Sequence, residues 1–399
     1  MLDLNKLSLQ IQQAGFDMAS HQGVLRERLK LAHETWSAAC RGEVALVEKL
    51  LRSRSGLAWN VARPLEALDT VVPLPPEPPV HTVIASDGSQ IAPSRHEISP
   101  CYLINISRIC YRYGTGVRAL QESEPYLYYR EQDLYTQHQH QQLSVSEAMI
   151  GLERSLLELH ELANLAEGLH DDPVPALALV DGSLYGLLPE LANLPGQIQE
   201  RARDRLLTTL ERLRQAGIPV CAYTSLPRRQ ECLQLLRLQR CPFATARCDE
   251  NCPPGASEPP CAGVSPLPDR ALWQQLLAAG ERSPLFTTTA GWPSGFGEGW
   301  LGHELCFVYL HTGYEIARLE FPRWVADRPE WLAWVHAVSW LQVQKGRGYP
   351  IALAEAHNQA VIKAPDRAQF YAMLSRRLAG NGNGVALSYK ELKKRKGLV

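Results

Sequence analysis

The sequence predicts an α/β protein: a mixed sheet flanked by helices, with a helical arm in front and a cysteine- and proline-rich insertion inside. Three observations carry this. Two apolar runs of strand length, His81–Ser86 and Ala176–Val180, each lead into Asp-Gly-Ser, at 87–89 and at 181–183. Between them stand a β-rich stretch and then a long amphipathic helical pattern. After the second run, helical and strand-type segments alternate, as in α/β proteins. On this reading each Asp ends a strand and each Gly supplies a turn. Two carboxylates on neighbouring strands could then share a cation.

The bulk properties narrow the class. Of the 399 residues, 45% are hydrophobic and 21% charged, enough for a real core. The formal net charge of -1 gives no global field for a polyanion, so any nucleic-acid surface must be local. No apolar stretch reaches the ~18 residues of a membrane span. Met1–Lys6 lacks the layout of a signal peptide. The expectation is a soluble, cytoplasmic protein with no membrane partner.

The elements follow in order. Residues 1–79 form a helical region closed by a linker. Leu25, Leu29 and Ala32 make one apolar stripe, and Val44, Val47, Leu50 and Leu51 another. Val72–Pro79 is a stiff polyproline-type segment. The main domain is expected over 80–378. Its β-rich part contains Glu97–Ser99, Cys101–Ser107 and Arg108–Tyr113, a Gly114–Gly116 turn, and Tyr126–Tyr129. A helix runs from about Ser146 to Gly168, with Ala148, Leu152, Leu156, Leu159 and Ala163 on one face. Gln197–Ala216 is a second helix, closed by Gly217, and Ile218–Thr224 a further strand. Residues 239–268 are the insertion. Glu304–Leu310 and Tyr314–Phe321 form a hairpin around His311–Gly313. Helices at Trp331–Gln344 and Pro365–Leu378 bracket a compact block, Gly348–Asn358. Residues 379–399 end in a basic tail from Lys390.

Asp87, Asp181, a glutamate on the intervening helix and His357 suit phosphodiester hydrolysis with divalent metals. Hard cations such as Mg²⁺ and Mn²⁺ take oxygen ligands, and two of them about 4 Å apart activate water and steady the leaving oxygen. Helical spacing leaves the glutamate open among Glu153, Glu158 and Glu161. His357 suits a metal ligand or an acid–base group, and Tyr349 a phosphate- or water-positioning group.

Four elements together resemble the NurA nuclease family. They are Asp87–Ser89 after its strand, a Glu-bearing helix, Ala178–Leu184 around the second Asp-Gly-Ser, and the Tyr349–Leu353 block ending at Ala356–His357. The resemblance covers about residues 80–378. It implies an RNase H-like core and Mn²⁺-dependent (or Mg²⁺-dependent) exonuclease and endonuclease activity on DNA. It also implies a homodimer and partnership with a HerA-type hexameric translocase in end resection. Carried over by position, it assigns Asp87, Asp181, Tyr349 and His357, and places the helical glutamate at Glu158. Two rivals stand beside it: a non-catalytic RNase H-like scaffold that binds DNA or a translocase, and an actin-like nucleotide-binding fold.

Cys241, Cys248, Cys252 and Cys261 fall within 21 residues of a segment with no core of its own. Their spacing is not that of a paired zinc ribbon. Thiolates are soft ligands, so Zn²⁺ or an iron–sulfur cluster would staple such a loop. The other cysteines read as buried thiols. For DNA contact, Arg228, Arg229 and the Lys390 tail are the free phosphate candidates. The arginines at 201, 203, 205, 212 and 214 read as a salt-laced helix face. Trp292, Phe296 and Trp300 are candidates for base stacking or for an apolar contact with a mate.

Overall fold

The structure, a computed structural model, describes residues 3–93, 101–138, 141–187, 194, 196–252, 259–288 and 302–380. Glu97–Ser99, Trp292, Phe296, Trp300 and the Lys390 tail lie outside the described residues. The chain divides into two compact units. One comprises Met1–Pro75, Thr224–Ser294 and Glu304–Ala326; the other comprises Pro76–Tyr223, Gly295–His303 and Asp327–Val399. Among the described residues, no helix is long and apolar enough to cross a membrane.

The first unit holds the helical arm, Leu4–Arg41 and Glu43–Ser53. The arm's stripe is buried only toward its C-terminal part, where Ala32 is buried and Leu25 stays exposed. Trp36 there meets Trp273 edge to face at 5.0 Å. Four antiparallel strands follow one another in space: Ala62–Pro64, Phe286–Thr288, Leu305–His311 and Ile316–Pro322. The last two are the expected hairpin. Arg318 is fully buried there. It is held by Glu231 at 3.0 Å and Glu320 at 2.8 Å, and it stacks on Phe307. A buried guanidinium is tolerated only when paired in this way.

The second unit carries the two Asp-Gly-Ser strands at its centre. His81–Ser86 is buried throughout, and pairs in parallel with Ala176–Asp181. Ala176–Asp181 pairs in parallel with Val220–Thr224. On the other side, His81–Ser86 runs antiparallel to Tyr102–Tyr113, which pairs in turn with Leu120–Tyr128. A meander followed by parallel strands is the order expected of an RNase H-like core. Each buried Val or Ile on the central strand contributes about 1.5–3 kcal/mol of burial free energy.

Behind this sheet lies the helix Glu147–Glu167. Ser146 caps it by accepting from Met149 N–H at 3.3 Å. Its Ile150, Leu152, Leu156, Leu159 and Ala163 are buried. The compact block resolves into a helix, Ile351–Ala360, entered through Pro350.

The first Asp-Gly-Ser departs from the expected turn. Ala85 faces Ile109 and Gly88 faces Ile106, so the antiparallel register passes Asp87 without a slip. The strand resumes at Gly88–Ile91. Asp87 therefore interrupts a strand and does not end one. Ser107 heals the interruption: its N–H donates to the Asp87 carbonyl at 2.8 Å, and its Oγ accepts from Asp87 N–H at 3.1 Å. Asp181 does end its strand. Gly182 follows at φ +88°, a conformation that favours glycine, and donates to the Tyr223 carbonyl at 3.0 Å.

Candidate active site

All five residues singled out for chemistry lie in the second unit, and the structure brings them together. The pairing of Ser86 with Val180 fixes the centre. One step further along the same register, the two strands present Asp87 and Asp181 side by side. Adjacent strands lie about 4.8 Å apart, and the Asp181 carboxyl, raised chiefly by burial, is raised further by the charge of Asp87.

Glu158 completes the acidic set. Its carboxyl is pushed up to about 8, chiefly by burial, then by the charges of Asp87 and Asp181; Arg154 and the Gly88 N–H act in the opposite sense. Arg154 Nε lies 3.2 Å from Glu158 Oε1. That is ion-pair range but off the hydrogen-bond line, and both atoms are buried without a hydrogen-bond partner. An orphaned, buried oxygen on a carboxyl group that feels the charge of two further carboxylates fits a divalent cation.

Gly88 makes this approach possible. A Cβ there would lie 2.8 Å from Glu158 Oε1, 2.7 Å from Arg154 Cγ and 2.8 Å from Ile106 Cδ1. So the two glycines of the repeated tripeptide do different work: Gly182 supplies a backbone angle, and Gly88 supplies space.

The competing glutamates are engaged elsewhere. Glu153 receives two hydrogen bonds from Arg205, one of 3.1 Å to its Oε1. Glu161 is buried and accepts from Tyr126 Oη at 2.8 Å.

Tyr349 and His357 each hold one aspartate. Tyr349 Oη donates to Asp181 Oδ1 at 2.6 Å, and its ring sits edge-on to Tyr223 at 5.6 Å. Burial raises the Asp181 carboxyl, and the Tyr349 hydroxyl works against that rise. His357 Nδ1 lies 2.9 Å from Asp87 Oδ2, with its side chain 65% exposed. In the Nδ1–H tautomer Asp87 accepts, and Nε2 keeps its lone pair.

Residues that the sequence reading passed over build the support. Ser89 Oγ and Asn105 Nδ2 both donate to the Ala360 carbonyl, at 2.5 and 2.8 Å. They fix the last turn of the helix that carries His357. A signal for Ser89 was available in the tripeptide itself. None was available for Asn105 or Ser107, which act through strand register.

Among the described residues, no group of three or more His, Cys, Asp or Glu side chains stands in ready metal-binding geometry. The donor set and the orphaned oxygen nonetheless suit a hard divalent ion. Asp87, Glu158 and Asp181 would hold it.

The arginine-rich helix Gly196–Gln215 bears out a salt-laced face for most of its length. Arg205 pairs with Glu153, Arg212 with Glu167 at 2.6 Å, and Arg214 with Glu211 at 3.6 Å. Arg229 stands 3.8 Å from Glu231, so it has an acid within reach.

Comparison with known proteins bears on the fold and the family. The fold is similar to that of the NurA nuclease from Sulfolobus solfataricus, at TM-score 0.53 and 14% identity, covering 96% of this chain and 98% of that one. A second NurA crystal structure is matched at TM-score 0.41 and 12% identity, over 85% of this chain and 97% of that one. No curated protein gives a significant match. The family model of the NurA domain matches residues 81–362, a span that contains both Asp-Gly-Ser strands, the Glu158 helix and the Tyr349–His357 block. The chain belongs to the NurA domain family.

Proposed function

We propose that this protein is a metal-dependent nuclease that hydrolyses phosphodiester bonds in DNA. The observation that carries the reading is the pairing that sets Asp87 and Asp181 at adjacent register positions, with the buried Glu158 carboxyl close enough to feel the charge of both. A divalent cation, Mn²⁺ or Mg²⁺, would supply Lewis-acid activation of water and neutralise charge on the phosphate. Asp87, Glu158 and Asp181 hold the negative charge that such an ion needs.

Tyr349 orients the Asp181 carboxylate through its hydroxyl. His357 orients Asp87, and its exposed ring can pass a proton to the departing oxygen. Arg154 offsets part of the carboxylate charge from behind and keeps Glu158 aimed at the strands.

The finer reading rests on the family resemblance. It comprises 5'-3' exonuclease and endonuclease activity in DNA end resection and repair, a cytoplasmic homodimer, and work alongside a HerA-type hexameric translocase.

The test is cleavage of end-labelled linear DNA by the full chain. Products are expected with Mn²⁺ or Mg²⁺ and none with EDTA, and 5' label should be released before 3' label. Absence of cleavage with either cation, or cleavage indifferent to EDTA, would overturn the proposal.

A further inference from the structure

The first unit contains a second grouping of metal-type ligands, separate from the carboxylates. Cys241, Cys248, Cys252 and Cys261 all line one cavity of about 200 Å³. All four thiols are free, with no disulfide among them. They come from different local pieces. Cys241 ends the helix Glu231–Arg240, Cys248 begins the four-residue helix Cys248–Asn251, Cys252 follows it, and Cys261 precedes the turn Ala262–Val264. Chain segments with so little regular structure do not bring four thiols to one cavity by secondary structure alone. Burial raises the Cys248 thiol, and its neighbours Cys261 and Cys241 add to the rise.

The cavity wall also holds an unmatched cation. Arg237 stacks on Trp59 at 3.8 Å, and both line the cavity. Its Nη2 reaches Cys261 Sγ at 3.8 Å, and its Nη1 donates to the neutral Gln234 at 3.0 Å. Its Nε is buried without a partner. Among the described residues, no carboxylate pairs with it. A half-buried guanidinium with no carboxylate beside it is stabilised by a nearby anion. Four neutral thiols do not provide one, but four metal-bound thiolates do. Around a divalent ion or a [4Fe–4S]²⁺ core they leave a net charge of about -2.

We propose that Cys241, Cys248, Cys252 and Cys261 bind a thiophilic metal centre, a zinc ion or an iron–sulfur cluster, with Arg237 donating to its sulfur atoms as the charge partner. The thiols line the cavity wall and do not meet at one point. Binding of either centre releases the thiol protons. The centre is structural. It fixes the inserted loop, which is otherwise held by Lys49 Nζ on the Cys241 carbonyl and by Ser53 Oγ accepting from Ala246 N–H at 2.9 Å. Gly56 lies so close that a Cβ there would stand 2.7 Å from the Ala246 carbonyl.

The test uses the full chain purified without oxygen. Zinc and iron are measured by elemental analysis, alongside acid-labile sulfide and the absorption spectrum. One outcome is about one zinc per chain without sulfide. The other is iron with sulfide and a broad absorption band in the visible. Either supports the proposal, provided that the metal falls at least tenfold in Cys248→Ser/Cys261→Ser and is unchanged in Cys40→Ser. X-ray absorption at the edge of the metal found keeps the test open if the double variant does not fold. Sulfur at ~2.3 Å is expected as the shell around either metal. The proposal falls if the wild-type chain holds neither metal after reconstitution with Zn²⁺ or with iron and sulfide. It falls equally if the ligand shell is nitrogen and oxygen alone.

Discussion

Replacing Asp181 with alanine is expected to lower metal-dependent cleavage of linear DNA by ~10³-fold or more, the upper range for losing one electrostatic contact at a reacting centre. The fold should survive. Asp181 sits at the end of its strand, and the backbone bond that closes the turn runs from Gly182 N–H to the Tyr223 carbonyl. Its side chain serves the site alone, through Tyr349 and the neighbouring carboxyl groups. Asp87→Ala should behave alike. The backbone of Asp87 is secured by Ser107, so alanine can keep the strand while removing the carboxylate and the partner of His357. Both variants should show native circular dichroism and cooperative melting. If either purified variant cut DNA at the native rate, the assignment of that aspartate would be wrong.

Glu158→Gln is expected to abolish cleavage and, at the same time, to stabilise the metal-free protein at alkaline pH. The sign follows from linkage. The folded carboxyl titrates near 8, against 4.5 for an ordinary glutamate. Between those values the folded chain keeps a proton that the unfolded chain has released. Stability therefore falls as pH rises through that window, by an amount on the order of a few kcal/mol. Asp181, also raised, adds to the same slope. Glutamine carries no titration, so the EDTA-treated variant should melt several degrees above wild type at pH 8 and no higher near pH 4.5. Thermal melts in EDTA across this range measure it. Equal pH slopes for the two proteins would show that Glu158 is not held as a protonated acid. Added Mn²⁺ should raise the wild-type melting temperature more than that of the variant, because the ion replaces the proton.

The sequence made the two aspartates legible because a strand-type run ending in Asp-Gly-Ser is a local pattern, and here it occurs twice. It also led to Tyr349 and His357, through the resemblance that their block carries. Spacing alone left Glu153, Glu158 and Glu161 open, and only the resemblance pointed to Glu158. Helical spacing says which residues share a face, but not which turn of the helix lies over the strand ends. That choice depends on Gly88, whose missing side chain leaves the space that Glu158 Oε1 occupies. The same limit hid the continuation of the first strand. Gly88 reads locally as a turn, yet pairing with Ile106 keeps it in the sheet, because the register of a long partner strand overrides a turn signal. The hairpin Tyr135–His138 and Gln141–Ser144 and the helix Glu231–Arg240 were not foreseen. The hairpin is short and polar. The helix begins on Cys232 and Leu233 N–H groups capped by the distant, buried Asp269, a contact no local pattern announces.

The most direct measurement is the anomalous scattering of crystals of the full chain grown with Mn²⁺. The account predicts a peak bounded by the carboxylates of Asp87, Glu158 and Asp181, at ~2–2.3 Å from their oxygens. It also predicts that the peak disappears in Asp181→Ala. Mn²⁺ bound elsewhere, with these three carboxylates left without it at saturating metal, would contradict the central claim.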